Sequence, residues 1–137
     1  MNLIDTLSVT ASGLTAQRVR LQTVASNMAN ARTTRTAEGG PYKRRMPVFR
    51  ADAPQFGDAL DTAMARVEVV EIAESDDPPV RVFDPGHPDA NADGYVDYPN
   101  VNVLEEMVDM MMTARTYEAN TAVVEVTKDM ANNALQI

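Results

Sequence analysis

Two long stripes of apolar residues, one near each end of the chain, most constrain what it can fold into. The first runs Leu3, Leu7, Thr10, Leu14, Gln17, Leu21, Val24 and Met28, in alternating steps of three and four residues. The second runs Val103, Met107, Met110, Ala114, Tyr117, Thr121, Val124, Lys128, Ala131 and Leu135 in the same rhythm. Such steps keep one narrow seam on one side of a helix, and a seam of that width needs a partner helix. The residues expected at a helix or subunit interface are therefore Leu3, Leu7, Leu14, Leu21, Val24 and Met28 on the first helix. On the second they are Val103, Met107, Met110, Ala114, Tyr117, Val124, Ala131 and Leu135.

Two helices of this length take nearly half of the 137 residues, and the stretch between them is too short to build a sizeable core of its own. The expected fold is mainly α with a small β-rich middle. Its long terminal helices pair as a coiled-coil-like hairpin, with a short irregular β region between them. Three parts follow: residues 1–36 as the N-terminal helix and its loop, 37–101 as the β-rich middle, and 102–137 as the C-terminal helix packing on the first. The first helix should open at Asn2 as N-cap with Asp5 three residues on, and persist to about Ala31. The last should open at Asn102, three residues before Glu105, with Glu105, Glu106 and Asp109 placed where negative charge favours the helix dipole.

In the middle, four runs read as strands: Tyr42 to Arg50, Ala65 to Ala73, Val80 to Phe83 and Gly94 to Tyr98. The second alternates imperfectly, because Val69 and Val70 are adjacent. Pro47, Pro54, Pro78, Pro79, Pro85 and Pro88 limit sheet regularity, since proline removes a ladder donor. Thr62 is expected to be exposed.

Charge is divided between the two parts of the chain. Residues 1–50 hold eight Lys/Arg against two acidic residues, a balance of +6; residues 51–137 hold four against eighteen, a balance of −14. No nucleic-acid partner is expected, because Arg18, Arg20, Arg32, Arg35 and Lys43 to Arg45 form no basic stripe interleaved with stacking aromatics. Two readings of the asymmetry stay open: a solvated face, or head-to-tail complementarity in which one subunit's basic end meets another's acidic surface. The absence of cysteine excludes disulfides and thiol chemistry. Asp5, Thr6 and Ser8 interrupt any signal-peptide core, and no run of 18 apolar residues occurs, so neither a cleaved signal nor membrane insertion is expected.

One segment invites a metal reading. Asp89 to Asn100 follows a calcium-loop pattern, with oxygen ligands on Asp89, Asn91, Asp93 and Asp97 and glycine at Gly94. Asn100 stands where a bidentate carboxylate is required, and the turn-rich Asp84-Pro85-Gly86-His87-Pro88 replaces the incoming helix. A metal-free turn is therefore expected, with a small calcium-stabilised binding module as the alternative. His87, the only histidine, has no nucleophile arrangement to serve, and Gly39-Gly40 is no phosphate loop. Neither an enzyme nor a cofactor is expected.

Several short words along the chain carry a resemblance. Ala11-Ser12-Gly13-Leu14 with Ala16-Gln17-Arg18, then Ala25-Ser26-Asn27-Met28-Ala29-Asn30, resemble the N-terminal signature of bacterial flagellar rod and hook proteins. Gly39-Gly40-Pro41-Tyr42-Lys43-Arg44, the run from Asp84 to Ala90 leading into Gly94 to Asn102, Glu105-Glu106-Met107 and Ala114 to Asn120 resemble the proximal-rod members of that family. The resemblance implies export through the flagellar type III apparatus without a cleaved signal, and helical assembly around a central channel in the basal body. It also implies terminal helices forming an inner tube, the middle region lying outside, and transmission of torque from motor to hook. The implied partners are other proximal and distal rod proteins, basal-body ring and export-gate components, and copies of the chain itself.

Overall fold

The computed structural model describes residues 3–52 and 65–136. Asn2, Thr62 and the side chain of Leu3 lie outside the described residues. Helix α1 spans Leu3–Ala29, strands β1 Arg45–Asp52, β2 Arg66–Glu74, β3 Val80–Phe83 and β4 Tyr95–Tyr98 follow, and helix α2 spans Val103–Leu135. The chain is thus mainly α, with two small antiparallel sheets, β1–β2 and β3–β4, between two long helices.

Helix α1 carries many hydroxyls for its length. Those of Ser8, Thr10, Ser12, Thr15 and Thr23 donate to carbonyls three or four residues back, which satisfies them without leaving the helix. The helix ends two residues short of Ala31: Asn30 folds its amide side chain back onto the Ser26 carbonyl (2.9 Å), and the Asn30 carbonyl accepts from Thr33 N–H (3.0 Å). Helix α2 opens as its sequence indicates. Asn102 has extended backbone, and its side-chain oxygen accepts from Leu104 N–H at 3.1 Å and Glu105 N–H at 3.5 Å.

Strand β1 pairs with β2 from Arg45 opposite Glu74 to Asp52 opposite Arg66. The register slips between Val48 and Phe49, which face Glu71 and Val69, so Val70 is the extra residue of a bulge. The broken alternation at Val69-Val70 is the sequence trace of that bulge. Pro47 sits opposite Ile72 inside β1 and is tolerated because both strands of a two-stranded ribbon are edges.

Helix α1 packs against α2 on one side and against both strands of the β1–β2 ribbon on another. The two helices run antiparallel: Asn27 meets Glu106 near the start of α2, Arg20 pairs with Asp109, and Gly13 lies beside Asn120. Among the described residues the buried apolar side chains are Ala16, Val24, Tyr42, Val96 and Pro99, while Thr23, Asn27, Ser75, Glu106, Thr113 and Thr127 are buried and polar. A core in which polar residues outnumber apolar ones draws little from the hydrophobic effect, so hydrogen bonding must fix the arrangement.

The seam between α1 and α2 does not use all the residues of the two apolar stripes. Val24 is buried, and Leu7, Leu14, Leu21 and Met28 are half-buried. On α2, Met110, Ala114, Val124 and Ala131 are half-buried, whereas Val103, Met107, Tyr117 and Leu135 are exposed. The seven-residue row Glu106, Thr113, Asn120 and Thr127 turns inward beside Met110 and Val124 in place of the row through Met107. The reason lies in the composition of α2: apolar residues lie nearly all round it, so apolar spacing alone cannot select the face turned to α1. The polar row is selected at Glu106, which finds Asn27 and Arg44 there, while Thr113 and Thr127 can turn inward because their hydroxyls donate to carbonyls of α2 itself.

Candidate functional site

The most tightly connected group in the molecule is a polar junction where α1 ends, the following loop returns and α2 begins. Asn27, 1% exposed, stands at its centre. Its Nδ2 donates to the Arg45 carbonyl (2.8 Å) and to Glu106 Oε2 (3.1 Å). Its Oδ1 accepts from the Tyr42 hydroxyl and from Arg45 N–H, each at 2.9 Å. All four hydrogen-bonding positions of the amide are used. Glu106, also 1% exposed, takes Asn27 on one oxygen and Arg44 Nε on the other at 2.6 Å. The Arg45 guanidinium lies over the Tyr42 ring, 5.6 Å from its centroid.

A buried carboxylate is tolerated only when a cation and hydrogen-bond donors replace its water, and Arg44 and Asn27 do both. The junction ties α1 (Asn27), the loop entering β1 (Tyr42, Arg44, Arg45) and α2 (Glu106) into one unit. Arg20 and Asp109, two turns away along α1, add a second cross-link between the helices, with Arg20 Nε 3.2 Å from Asp109 Oδ2. Apolar spacing gave no hint of Asn27, Tyr42, Arg44 or Glu106. Each sits inside a motif word that carried the resemblance, and that coincidence was the available signal.

The segment from Asp84 to Asn100 is a turn whose side chains satisfy its own backbone or reach separate partners. Asn91 Oδ1 accepts from Asp93 N–H (3.0 Å) and Tyr95 N–H (2.9 Å). Asp89 Oδ2 accepts from the Thr34 hydroxyl at 2.8 Å and its Oδ1 lies 3.9 Å from Arg35, which moors the turn to the loop after α1. Asp97 pairs with Arg81 across β3–β4 at 3.0 Å, and that hydrogen bond, then the charge itself, raises the Arg81 pKa above its ordinary value. His87 accepts Asp89 N–H on Nδ1 at 3.1 Å and sets its ring edge-on to Tyr98. Asp89, Asn91 and Asp97 are thus drawn to different partners, and no group of three His, Cys, Asp or Glu among the described residues could hold a metal. Calorimetric titration with Ca²⁺ should accordingly show no micromolar binding, and chelator should leave the unfolding temperature of the chain unchanged. Micromolar affinity lost in Asp93→Ala would overturn this.

Two family models match the chain. Residues 7–35 match the flagella basal body rod protein family, and residues 92–137 match the C-terminal region of the flagellar basal body rod FlgEFG proteins. The chain is 43% identical to the flagellar basal-body rod protein FlgC of Bacillus subtilis, across 100% of this chain and 99% of the relative. It is 40% identical to FlgC of Borreliella burgdorferi and 39% identical to FlgC of Escherichia coli O6:H1, in both cases across 100% of this chain and 98% of the relative. The matched segments at the two ends hold Asn27 and Glu106, two of the three buried members of the junction. With full-length identity of this order, the chain belongs to the FlgC family of flagellar basal-body rod proteins.

Proposed function

We propose that the chain is a structural subunit of the bacterial flagellar basal-body rod, assembling helically with copies and relatives to form a shaft that carries torque from motor to hook and encloses the export channel. The observation that carries this reading is the division of labour between the helix faces. The polar junction clamps α1 to α2, while Leu104, Met107, Val108, Met111 and Met112 of α2 stay 46–70% exposed. Exposed apolar surface of this extent on one helix marks an interaction face. Full-length likeness to basal-body rod proteins supports reading that face as one turned to neighbours in the rod.

In this reading residues 1–36 and 102–137 act together as a coiled-coil-like hairpin lining the rod, and residues 37–101 lie outside it. Other rod proteins, ring and export-gate components are the neighbours, and the chain reaches them through the flagellar type III apparatus. No helix among the described residues is long and apolar enough to cross a membrane. The chain is a scaffold and not an enzyme.

The test is assembly. Leu14→Asp or Leu21→Asp, each placing an unpaired charge on a half-buried apolar row, should abolish swimming and leave basal bodies without the subunit. Glu38→Gln, at an exposed loop position, should do neither. A Leu21→Asp subunit that still enters basal bodies and supports swimming would remove these leucines from the interface.

A further inference from the structure

The two ribbons present four outer strand edges, and side chains of the chain itself meet three of them. On β1, Asn27 takes both outward groups of Arg45, its N–H and its carbonyl. On β2, the Val67 N–H donates to the Ser12 hydroxyl at 3.1 Å. On β4, Asn91 closes Tyr95 much as Asn27 closes Arg45. Its Oδ1 accepts from the Tyr95 N–H at 2.9 Å, and its own N–H donates to the Tyr95 carbonyl at 2.8 Å. No such cover lies on β3 among the described residues.

The register says which groups β3 leaves open. Antiparallel pairs alternate between those that exchange backbone hydrogen bonds and those that do not. The Asp84 N–H donates to the Gly94 carbonyl at 2.9 Å, so Val82 with Val96 and Val80 with Tyr98, at steps of two from it, are the bonded pairs. Arg81 and Phe83 therefore turn N–H and carbonyl outward, and the outward bonds of Tyr95, opposite Phe83, agree with this. Strand edges are blunted by proline, lysine or a bulge, and β3 has none of these. Its one charge, Arg81, is held by Asp97, and all four side chains are exposed, Phe83 at 63%. Shortness is its only guard, so an added strand needs side-chain contacts as well.

The surroundings supply them. Residues 74–97 hold seven acidic residues against Arg81 alone. Two further cations stand near: Arg35 beside Asp89, and Lys43 in the cleft that Asp77 also lines. Asp76, Asp84 and Asp93 take part in no ion pair among the described residues. After Asp97, the charge of Asp93 also raises the Arg81 pKa, which sets Asp93 close to this strand.

We propose that the outer edge of β3 takes an extended, basic segment of a different polypeptide, added as a further strand to the β3–β4 ribbon. Backbone bonds at Arg81 and Phe83 hold it in place, the Phe83 ring packs one of its apolar side chains, and Asp76, Asp84 and Asp93 answer its Lys or Arg. A second copy of the chain does not fit. Its β1, β2 and β4 edges are those already met, and its β3 edge brings the same acids. Its basic run from Arg32 to Arg45 is folded on itself, with Tyr42 N–H on the Thr33 carbonyl and Thr36 N–H on the Gly40 carbonyl. The partner is sought in the basal body, and in that the inference rests on the rod reading.

Photo-cross-linking in isolated basal bodies tests this. A benzophenone side chain at Phe83 keeps an aromatic ring at the edge, and Val82 carries the probe if that chain does not assemble. Irradiation should join the chain to a different polypeptide, at a peptide of net positive charge. Arg81→Pro removes an outward N–H and no bond to β4, and edge strands tolerate proline. It should cut the adduct about tenfold below that of Arg81→Ala, which loses the same side chain but keeps the N–H. If the proline chain does not enter basal bodies, Asp76→Lys combined with Asp93→Lys decides, and a fall of about tenfold is expected there too. An adduct with a second copy, an adduct with a neutral or acidic peptide, chain that stays at monomer mass, or a yield that these substitutions do not lower would each overturn the inference. Those outcomes leave the rod reading standing, whereas absence of the parental chain from basal bodies would overturn both.

Discussion

Replacing Glu106 by alanine should stop swimming in soft agar and remove the subunit from basal bodies. The side chain is 1% exposed and holds Arg44 at 2.6 Å and Asn27 at 3.1 Å. Its loss strands the Arg44 guanidinium against a cavity and leaves Asn27 Nδ2 with the Arg45 carbonyl alone. Breaking a buried ion pair by deleting one partner costs about 3–5 kcal/mol, and the partial exposure of Arg44 points to the low end of that range. Small domains hold about 5–15 kcal/mol in all, so a loss of this size, with the helices also freed in register, removes much of the subunit's order. Glu106→Gln keeps the shape but has a single acceptor oxygen, so its amide nitrogen is set against a donor, Asn27 Nδ2 or Arg44 Nε, and the charge is lost; it should cost about 1–3 kcal/mol with reduced swimming. An alanine variant that swims at the parental rate would show that the junction does not hold the helices together.

Gly94→Val should be the most damaging change in the β3–β4 region. Gly94 has φ +79°, and an added Cβ would meet Phe83 Cε2 at 3.0 Å and Pro85 Cβ at 3.2 Å. A branched side chain in the left-handed region costs about 1–2 kcal/mol on its own, and shifting the Phe83 ring off its edge-on contact with Tyr95 adds to that. The Asp84 N–H, which donates to the Gly94 carbonyl at 2.9 Å, reports the effect. Its amide exchange should accelerate by about two orders of magnitude if the total reaches about 2.7 kcal/mol. Asp93→Asn, at an exposed position whose N–H keeps its bond to Asn91, should change exchange by less than about threefold. Equal effects of the two substitutions would mean that the backbone shape at Gly94 is not what matters.

Much of the fold was legible because local rules governed it. The Asn102 cap, the placement of all four strands and the turn at Gly94 depend on residues within a few positions of each other, and the sequence names them. In the calcium-like pattern from Asp89 to Asn100 the missing twelfth ligand was likewise legible, as Asn100. What the pattern could not say is that Asp89 reaches back to Thr34 and Arg35, a contact across more than fifty residues.

The sequence by itself determined two long helices at the ends, a small β region between them, no thiol chemistry, and the family to which the words of the chain belong. Only the tertiary structure decided which side of each helix turns inward. Apolar spacing put Met107 in the seam, yet Met107 is 46% exposed and its neighbour Glu106 is buried. Hydrophobic pattern measures how well a face avoids water, and α2 offers apolar side chains on nearly every side. The choice among them was made by Asn27, Arg44 and Tyr42, which come together only on folding and satisfy one carboxylate and one amide completely. Buried polar groups are costly unless every partner is in place, so they select one arrangement where apolar residues would accept several.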